Sequence, residues 1–512
     1  MEQVLEDLFR GSGVMNAPTE ARSPFGARLM IYPKSLCRGK GITAFIASQG
    51  GQKKLWILDA SADSKTVALF EGDRAEEGLL RCALSHRNAV AIRALFPFAR
   101  PVPIGLSSSL GCGDRLGLAN AGHLHAVAGS GLKPVLAQQS VRELQRTNRE
   151  AEDVLDAATW AVLQEGYREA YGADGDHLKT PEDIDRYARA GYTLYTLDVG
   201  ASVANEASRM SMPDLALRAD ALPWSLLEST SADTLRRFAE KPVSLSQALT
   251  IRPERGEVLR AMVKYGAAIA QAVQLTRHLE SAWSALPQEI ELSVDETDSP
   301  TTPFEHLFIA AEMRRLGVKL VSLAPRFIGD FEKGVEYKGD IRKFAEEYAK
   351  HVLIAERYGP YKISVHSGSD KFEVYKVIGS LGPSAVHVKT AGTSWLEALR
   401  TVAAVEEGLF RTILECARGN YEKDRATYLV SADVGRMRPT DSYGAEELLA
   451  LLSDDNARQI LHVTYGSILA ETSGGTTMKD RILKCLEENE RKHYEFLERH
   501  FRRHIQPLLN RR

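Results

Sequence analysis

From about residue 101 to 393 the chain repeats one pattern: a short apolar run, a polar and often Gly-rich tip, then usually a helical stretch. Eight runs follow it: PVPIGLSSS, KPVLAQQS, REAYGADGDH, YTLYTLDVG, EIELSVDETD, KLVSLAPRF, YKISVHSGS and AVHVKTAG. Strands alternating with helices predict a parallel sheet, because a parallel return needs a crossover. Eight such units are the number that closes a (β/α)8 barrel; an open doubly wound sheet is the alternative. The α/β barrel is expected over residues 96–400, with a helical insertion at about 200–288 whose clearest amphipathic part is GEVLRAMVKYGAAIAQAVQLTRHLESAWSAL. Before it, residues 1–95 hold the short β-type runs RLMIYP, ITAFIAS, KKLWILDA and KTVALFEG and predict a β-rich accessory region. After it, residues 401–512 predict a helical extension. Its last stretch, KDRILKCLEENERKHYEFLERHFRRHIQPLL, carries apolar residues at i, i+3 and i+4 and reads as a surface or dimer helix.

Composition narrows the classes. Of 512 residues 44% are hydrophobic and 26% charged, which supplies a sizeable core and excludes wholesale disorder. The net charge of −3 gives no general pull toward nucleic acid or an anionic membrane. No run of 18 apolar residues suits a spanning helix. The start, MEQVLEDLFRGSGV, is acidic and amphipathic and lacks the basic and apolar regions of a secretory signal. Cys37, Cys82, Cys112, Cys416 and Cys485 are scattered and form no CxxC, as expected of reduced thiols in a cytoplasmic protein. Oligomeric state stays open.

Barrel chemistry comes from the C-terminal ends of the strands, so the tips carry the functional reading. The third holds Asp176-His177 and Lys179, the fifth Asp295-Glu296, the seventh His366 and Lys371, and the eighth His387 and Lys389. In YKISVHS and AVHVKT, period-2 alternation turns the valines outward and His366, His387 and Lys389 into the barrel. A histidine at a strand end is ordinarily a hydrogen-bonded scaffold residue; three on the tips of the barrel strands equally suit a transition metal with positions left open. Asp176 and Glu296 read either as acid/base groups or as helix caps, although Thr180-Pro181 already resembles an N-cap followed by Pro. Strict alternation along β-run EIELSVDETD would turn Asp295, rather than Glu296, inward. Arg115, Lys179, Arg326, Lys371 and Lys389 all lie at tips and can pair with scaffold carboxylates or clamp an anionic substrate.

The tip Gly111-Cys112-Gly113-Asp114-Arg115-Leu116-Gly117 misses the dinucleotide spacing by one residue, so no nicotinamide cofactor is expected. Its amides, placed where a helix should open, could receive an anion. GxxxxGK[ST], GxSxG and HExxH are absent, which disfavours P-loop, α/β-hydrolase and zincin chemistry.

The segments GADGDHLKT, SVDETDSPTTPFEHLFIAAE, VSLAPRFIGDFEKGV, YKISVHSGSDKF and VHVKTAGTSWLEALRT resemble the tagaturonate/fructuronate epimerase family over about residues 106–470. The resemblance implies a barrel enzyme of hexuronate catabolism that inverts one hydroxyl-bearing carbon, C4 in ketose numbering, of a small sugar acid. It implies a divalent metal (Zn, Mn, Ni, Co or Fe) on His177, His366 and His387, an acid/base pair in Asp176 and Glu296, and cationic tips for the substrate. Neutral ketohexoses as substrates, or a sugar-acid aldolase with the same parts, are the alternatives.

Overall fold

The computed structural model describes residues 18–22, 28–59, 64–76, 78–247, 249–382 and 385–509; the acidic start of the chain lies outside them. The first part is an antiparallel sheet of seven strands: β1 Thr19–Arg22, β2 Arg28–Ile31, β3 Cys37–Gly39, β4 Ile42–Gln49, β5 Gln52–Asp59, β6 Gly72–Glu76 and β7 Leu79–Cys82. One of its faces packs on the helix His86–Leu95, with Ile42, Ala44, Leu55 and Ile57 meeting Ala89 and Ile92 in one apolar cluster.

The centre is a closed parallel barrel of eight strands: β8 Ser109–Gly111, β9 Lys133–Ser140, β10 Gly172–Leu178, β11 Leu194–Asp198, β14 Glu289–Val294, β15 Leu320–Pro325, β16 Lys362–Val365 and β17 Val386–Lys389. A small hairpin, β12 Val243–Ser244 and β13 Thr250–Ile251, sits apart in the insertion after β11. All eight barrel strands fall in or against the runs read from the sequence, with one shift. The first run, PVPIGLSSS, is not itself a strand; β8 starts at Ser109. Pro101 and Pro103 lack the N–H that a ladder requires.

Local sequence sets the helix starts. At Thr180-Pro181 and again at Thr302-Pro303, the threonine hydroxyl accepts the amide of the third helical residue, and Asp183 or Glu305 reaches back to the cap amide. The insertion is dominated by the helix Arg255–Ala282, which buries Val258, Met262, Ile269, Val273 and Leu279 in the barrel's apolar shell. The last helix, Glu490–Leu509, is not a free surface helix. It buries Leu497, Phe501 and Ile505 and packs against the helices Asn120–Val127, Phe372–Leu381 and Thr393–Val405. Gly122 makes that approach possible, since a Cβ there would lie 2.7 Å from Leu497 Cβ. Among the described residues no helix is long and apolar enough to cross a membrane.

Candidate active site

A cavity of about 530 Å³ opens at the C-terminal end of the barrel strands. Asp176 and His177 from β10, Asp295 and Glu296 after β14, Arg326 after β15, His366 after β16 and Lys389 from β17 all line it. The C-terminal extension forms part of its wall with Tyr428, Leu429 and His462. His462 comes so close that a Cβ on Gly392 would lie 1.8 Å from its ring, so only glycine fits there.

Alternation alone would put Asp176 and His177 on opposite faces. The β10 register shifts between Gly175 and Leu178, and His177 takes the left-handed conformation with φ of 54°. Such a bulge re-aims a side chain at sheet rims and active sites, and here it brings both residues to the cavity. Ser367 and Asp370 are also left-handed, at 51° and 63°, in the loop after β16.

His177, Asp295 and His366 converge: one ligand atom from each lies within 4.8 Å of the others. Each imidazole is held by a carboxylate on one nitrogen. His177 Nδ1 is 3.2 Å from Asp198 Oδ2, and His366 Nε2 is 2.7 Å from Glu291 Oε1. The opposite nitrogen of His366, Nδ1, is buried without a hydrogen-bond partner, 3.2 Å from Asp295 Oδ1. Two histidines oriented from behind by carboxylates, plus one carboxylate, make a donor set that suits a divalent transition metal. Burial opposes the charged form of Asp295, but His366 and His177 beside it outweigh that and hold its carboxyl far below the usual range. Asp295 is thus the inward residue that strict alternation selects, while Glu296 is exposed at the mouth of the same cavity.

His387 does not join this group. The register pairs it with Ser364, two residues short of His366, so it occupies a deeper layer of the barrel interior. It is fully buried, with Nδ1 2.9 Å from Ser109 Oγ, and burial pushes its pKa down to about 3. Lys389, one layer higher, fills the centre instead. Its Nζ lies 2.8 Å from Asp174 Oδ2, 2.8 Å from Asp176 Oδ1 and 2.9 Å from Glu291 Oε1. Asp176 accepts a further hydrogen bond from Gln138 Nε2 at 2.9 Å. Burial disfavours its anion, yet Lys389 together with His177 and His366 outweighs that and keeps the carboxyl well below its ordinary range. Asp176 caps no helix; Thr180 does that.

The tip cations divide. Arg115 and Lys389 reach the cavity but are engaged with carboxylates, Arg115 through Nε and Nη2 on Glu143 Oε1 at 3.0 and 2.9 Å. Lys179 lies outside the cavity lining, 3.2 Å from Asp198. Lys371 is buried outside it and donates to the carbonyls of Glu332, Val335 and Ser369, so it braces the loop after β15. Arg326 lines the cavity without an ion pair among the described residues. Arg142, on the helix Val141–Thr147 after β9, also lines it, as does Lys333. Neither stood out in the sequence, because a lone basic residue on a helix or in a long loop has no distinctive spacing. In the Gly111–Gly117 tip the Asp114 carboxylate takes the amides of Leu116, Gly117 and Ala119, so these three do not face an outside anion. The helix opens later, at Asn120.

The family model for tagaturonate epimerase matches residues 32–508. The tagaturonate/fructuronate epimerase of Thermotoga maritima is 39% identical over 495 residues, covering 94% of this chain and 98% of that one. The native crystal structure of the fructuronate-tagaturonate epimerase UxaE from Cohnella laeviribosi superposes with a TM-score of 0.87 at 36% identity, over 94% of this chain and 96% of that one. A glycerol complex of the same protein gives 0.87 at 34% identity and covers 99% of each chain. With matches that run through sheet, barrel and extension alike, this chain belongs to the tagaturonate epimerase family.

Proposed function

We propose that this protein is a divalent-metal-dependent epimerase that interconverts D-tagaturonate and D-fructuronate by inversion at C4. Relatives bearing that name match over nearly the whole chain. The observation that carries the metal part is the convergence of His366, Asp295 and His177, whose ligand atoms lie within 4.8 Å of one another, with the buried Nδ1 of His366 only 3.2 Å from Asp295 Oδ1. His177, Asp295 and His366 would hold the ion, with Asp295 in the place read for His387. When bound, a divalent cation supplies Lewis-acid polarisation of substrate oxygens.

C4 is not α to the C2 ketone, so simple enolisation cannot loosen its hydrogen. In one route a base takes the C4 hydroxyl proton and the C3–C4 bond breaks. Its electron pair passes into the C2 carbonyl, and the aldehyde fragment turns and rejoins through its other face. In the other route the C4 proton is removed and returned on the opposite side. Either needs one base and one acid across the sugar. Asp176 is held as an anion by Lys389 at 2.8 Å. Glu296 lines the cavity with no hydrogen-bond partner among the described residues, so it is free to exchange a proton with substrate. Arg326, with no acidic partner, suits a sugar acid better than a neutral ketohexose.

The test is incubation of metal-loaded protein with D-tagaturonate, followed by NMR. D-fructuronate as the sole product supports the reading. Two released three-carbon fragments would make the protein an aldolase.

A further inference from the structure

Five cationic side chains line the cavity: Arg115, Arg142, Arg326, Lys333 and Lys389. Three are committed within the protein. Arg115 is paired with Glu143 and lies 3.7 Å from the centre of the Tyr465 ring. Lys389 is surrounded by three carboxylates. Lys333 donates to Ser367 Oγ. Arg142 and Arg326 have no ion pair among the described residues. Arg142 differs again, because its Nε is buried with no acceptor at all. A guanidinium N–H withdrawn from water without a partner is costly, so the protein alone does not fully satisfy this side chain.

The surroundings of Arg142 fit an anion-binding role. It stands in the first turn of the helix Val141–Thr147, directly after β9, at the barrel's functional end. The Tyr428 ring backs it, 5.2 Å from its Cζ. That ring is itself held by Arg146, which donates to the Tyr428 hydroxyl and lies 5.8 Å from the centre of Tyr465. An aromatic face on one side leaves the planar fork of donors for a carboxylate, the group whose geometry it matches.

We propose that Arg142, braced by Tyr428, anchors the substrate carboxylate and sets the preference for uronates over neutral ketohexoses. This rests on the epimerase reading above and deepens it. D-Tagaturonate and D-tagatose differ at C6, a carboxylate in one and a hydroxymethyl group in the other. A cation with no ion pair of its own among the described residues discriminates between the two at that end, two carbons from the inverted C4. The brace comes from the C-terminal extension, so specificity depends on a segment outside the barrel.

The experiment compares metal-loaded wild type, Arg142→Gln and Arg142→Lys, each confirmed as folded by its melting curve. Calorimetry gives the Kd for D-tagaturonate and D-tagatose, and steady-state rates give KM and kcat for both. Loss of a charge-assisted pair should raise Kd and KM for D-tagaturonate by roughly 10- to 100-fold. D-Tagatose should change by less than about threefold, and Arg142→Lys should recover part of the lost affinity. An unchanged Kd for D-tagaturonate in folded Arg142→Gln overturns the anchor. Equal losses for both sugars overturn it too, because they would mark a scaffold role. Wild type that binds D-tagaturonate without epimerising it would sink the epimerase reading, while the Kd comparison still decides the anchor. Wild type that does not bind D-tagaturonate overturns both.

Discussion

Lys389 Nζ lies 2.8 Å from Asp176 Oδ1, tying the last barrel strand to the third across the interior. The same ammonium meets Asp174 and Glu291, so one cation balances three buried carboxylates. Removing it strands those charges in the barrel. Lys389→Met should therefore cost about 3–5 kcal/mol, the usual penalty for breaking a buried pair. Urea denaturation checks this, and Asp174→Asn in the same chain should restore part of the loss.

Metal retention separates the two kinds of histidine. His366→Ala and Asp295→Ala should lower bound metal in elemental analysis. His387→Ala should keep it, because that ring faces Ser109 in a deeper layer. A chelator should abolish turnover and a divalent ion restore it; full activity in verified metal-free protein would refute the requirement.

Proton transfer can be separated from capping. Asp176→Asn and Glu296→Gln should each lower kcat by roughly 10²–10⁴ while the protein stays folded. Thr180→Ala is the control: it removes the real cap of the helix Pro181–Ala190 and should cost about 1 kcal/mol with kcat nearly intact. If Glu296→Gln is near-neutral while Asp176→Asn is inactive, Glu296 is not the partner.

Acid should weaken the fold through its buried neutral histidines. His123 lies between Asn120 Oδ1 at 3.0 Å and Ser394 Oγ at 2.7 Å, and burial pushes its pKa down to about 3. Above about pH 6.5 neither state carries the proton. Below it the unfolded chain takes one up and the native chain does not, so stability falls with pH, from about 6.5 down toward 3. This group alone should account for about 1.5 kcal/mol between pH 6.5 and 5. Urea midpoints at the two pH values test it, and His123→Asn should show a shallower loss.

The barrel was legible because its signals are local. Period-2 runs, Gly-rich tips and Thr-Pro caps each act within a few residues, and eight repeats left few ways to close the sheet. The same locality brought Asp176, His177, Asp295, Glu296 and His366 into view as tip residues. Three decisions needed the assembled molecule. The depth of His387 depends on how β17 registers against β16, since inward residues two apart on one strand occupy different layers. The turn of His177 into the cavity depends on a bulge in β10 that its sequence does not announce. The freedom of Arg142, against the commitment of Arg115, Lys179, Lys371 and Lys389, depends on which carboxylates and carbonyls fold against each one. Tyr428, 286 residues further along the chain, completes the wall beside Arg142. Sequence pattern determines which face a residue takes on its own strand or helix; only tertiary packing decides what it meets there, because its partners come from distant parts of the chain.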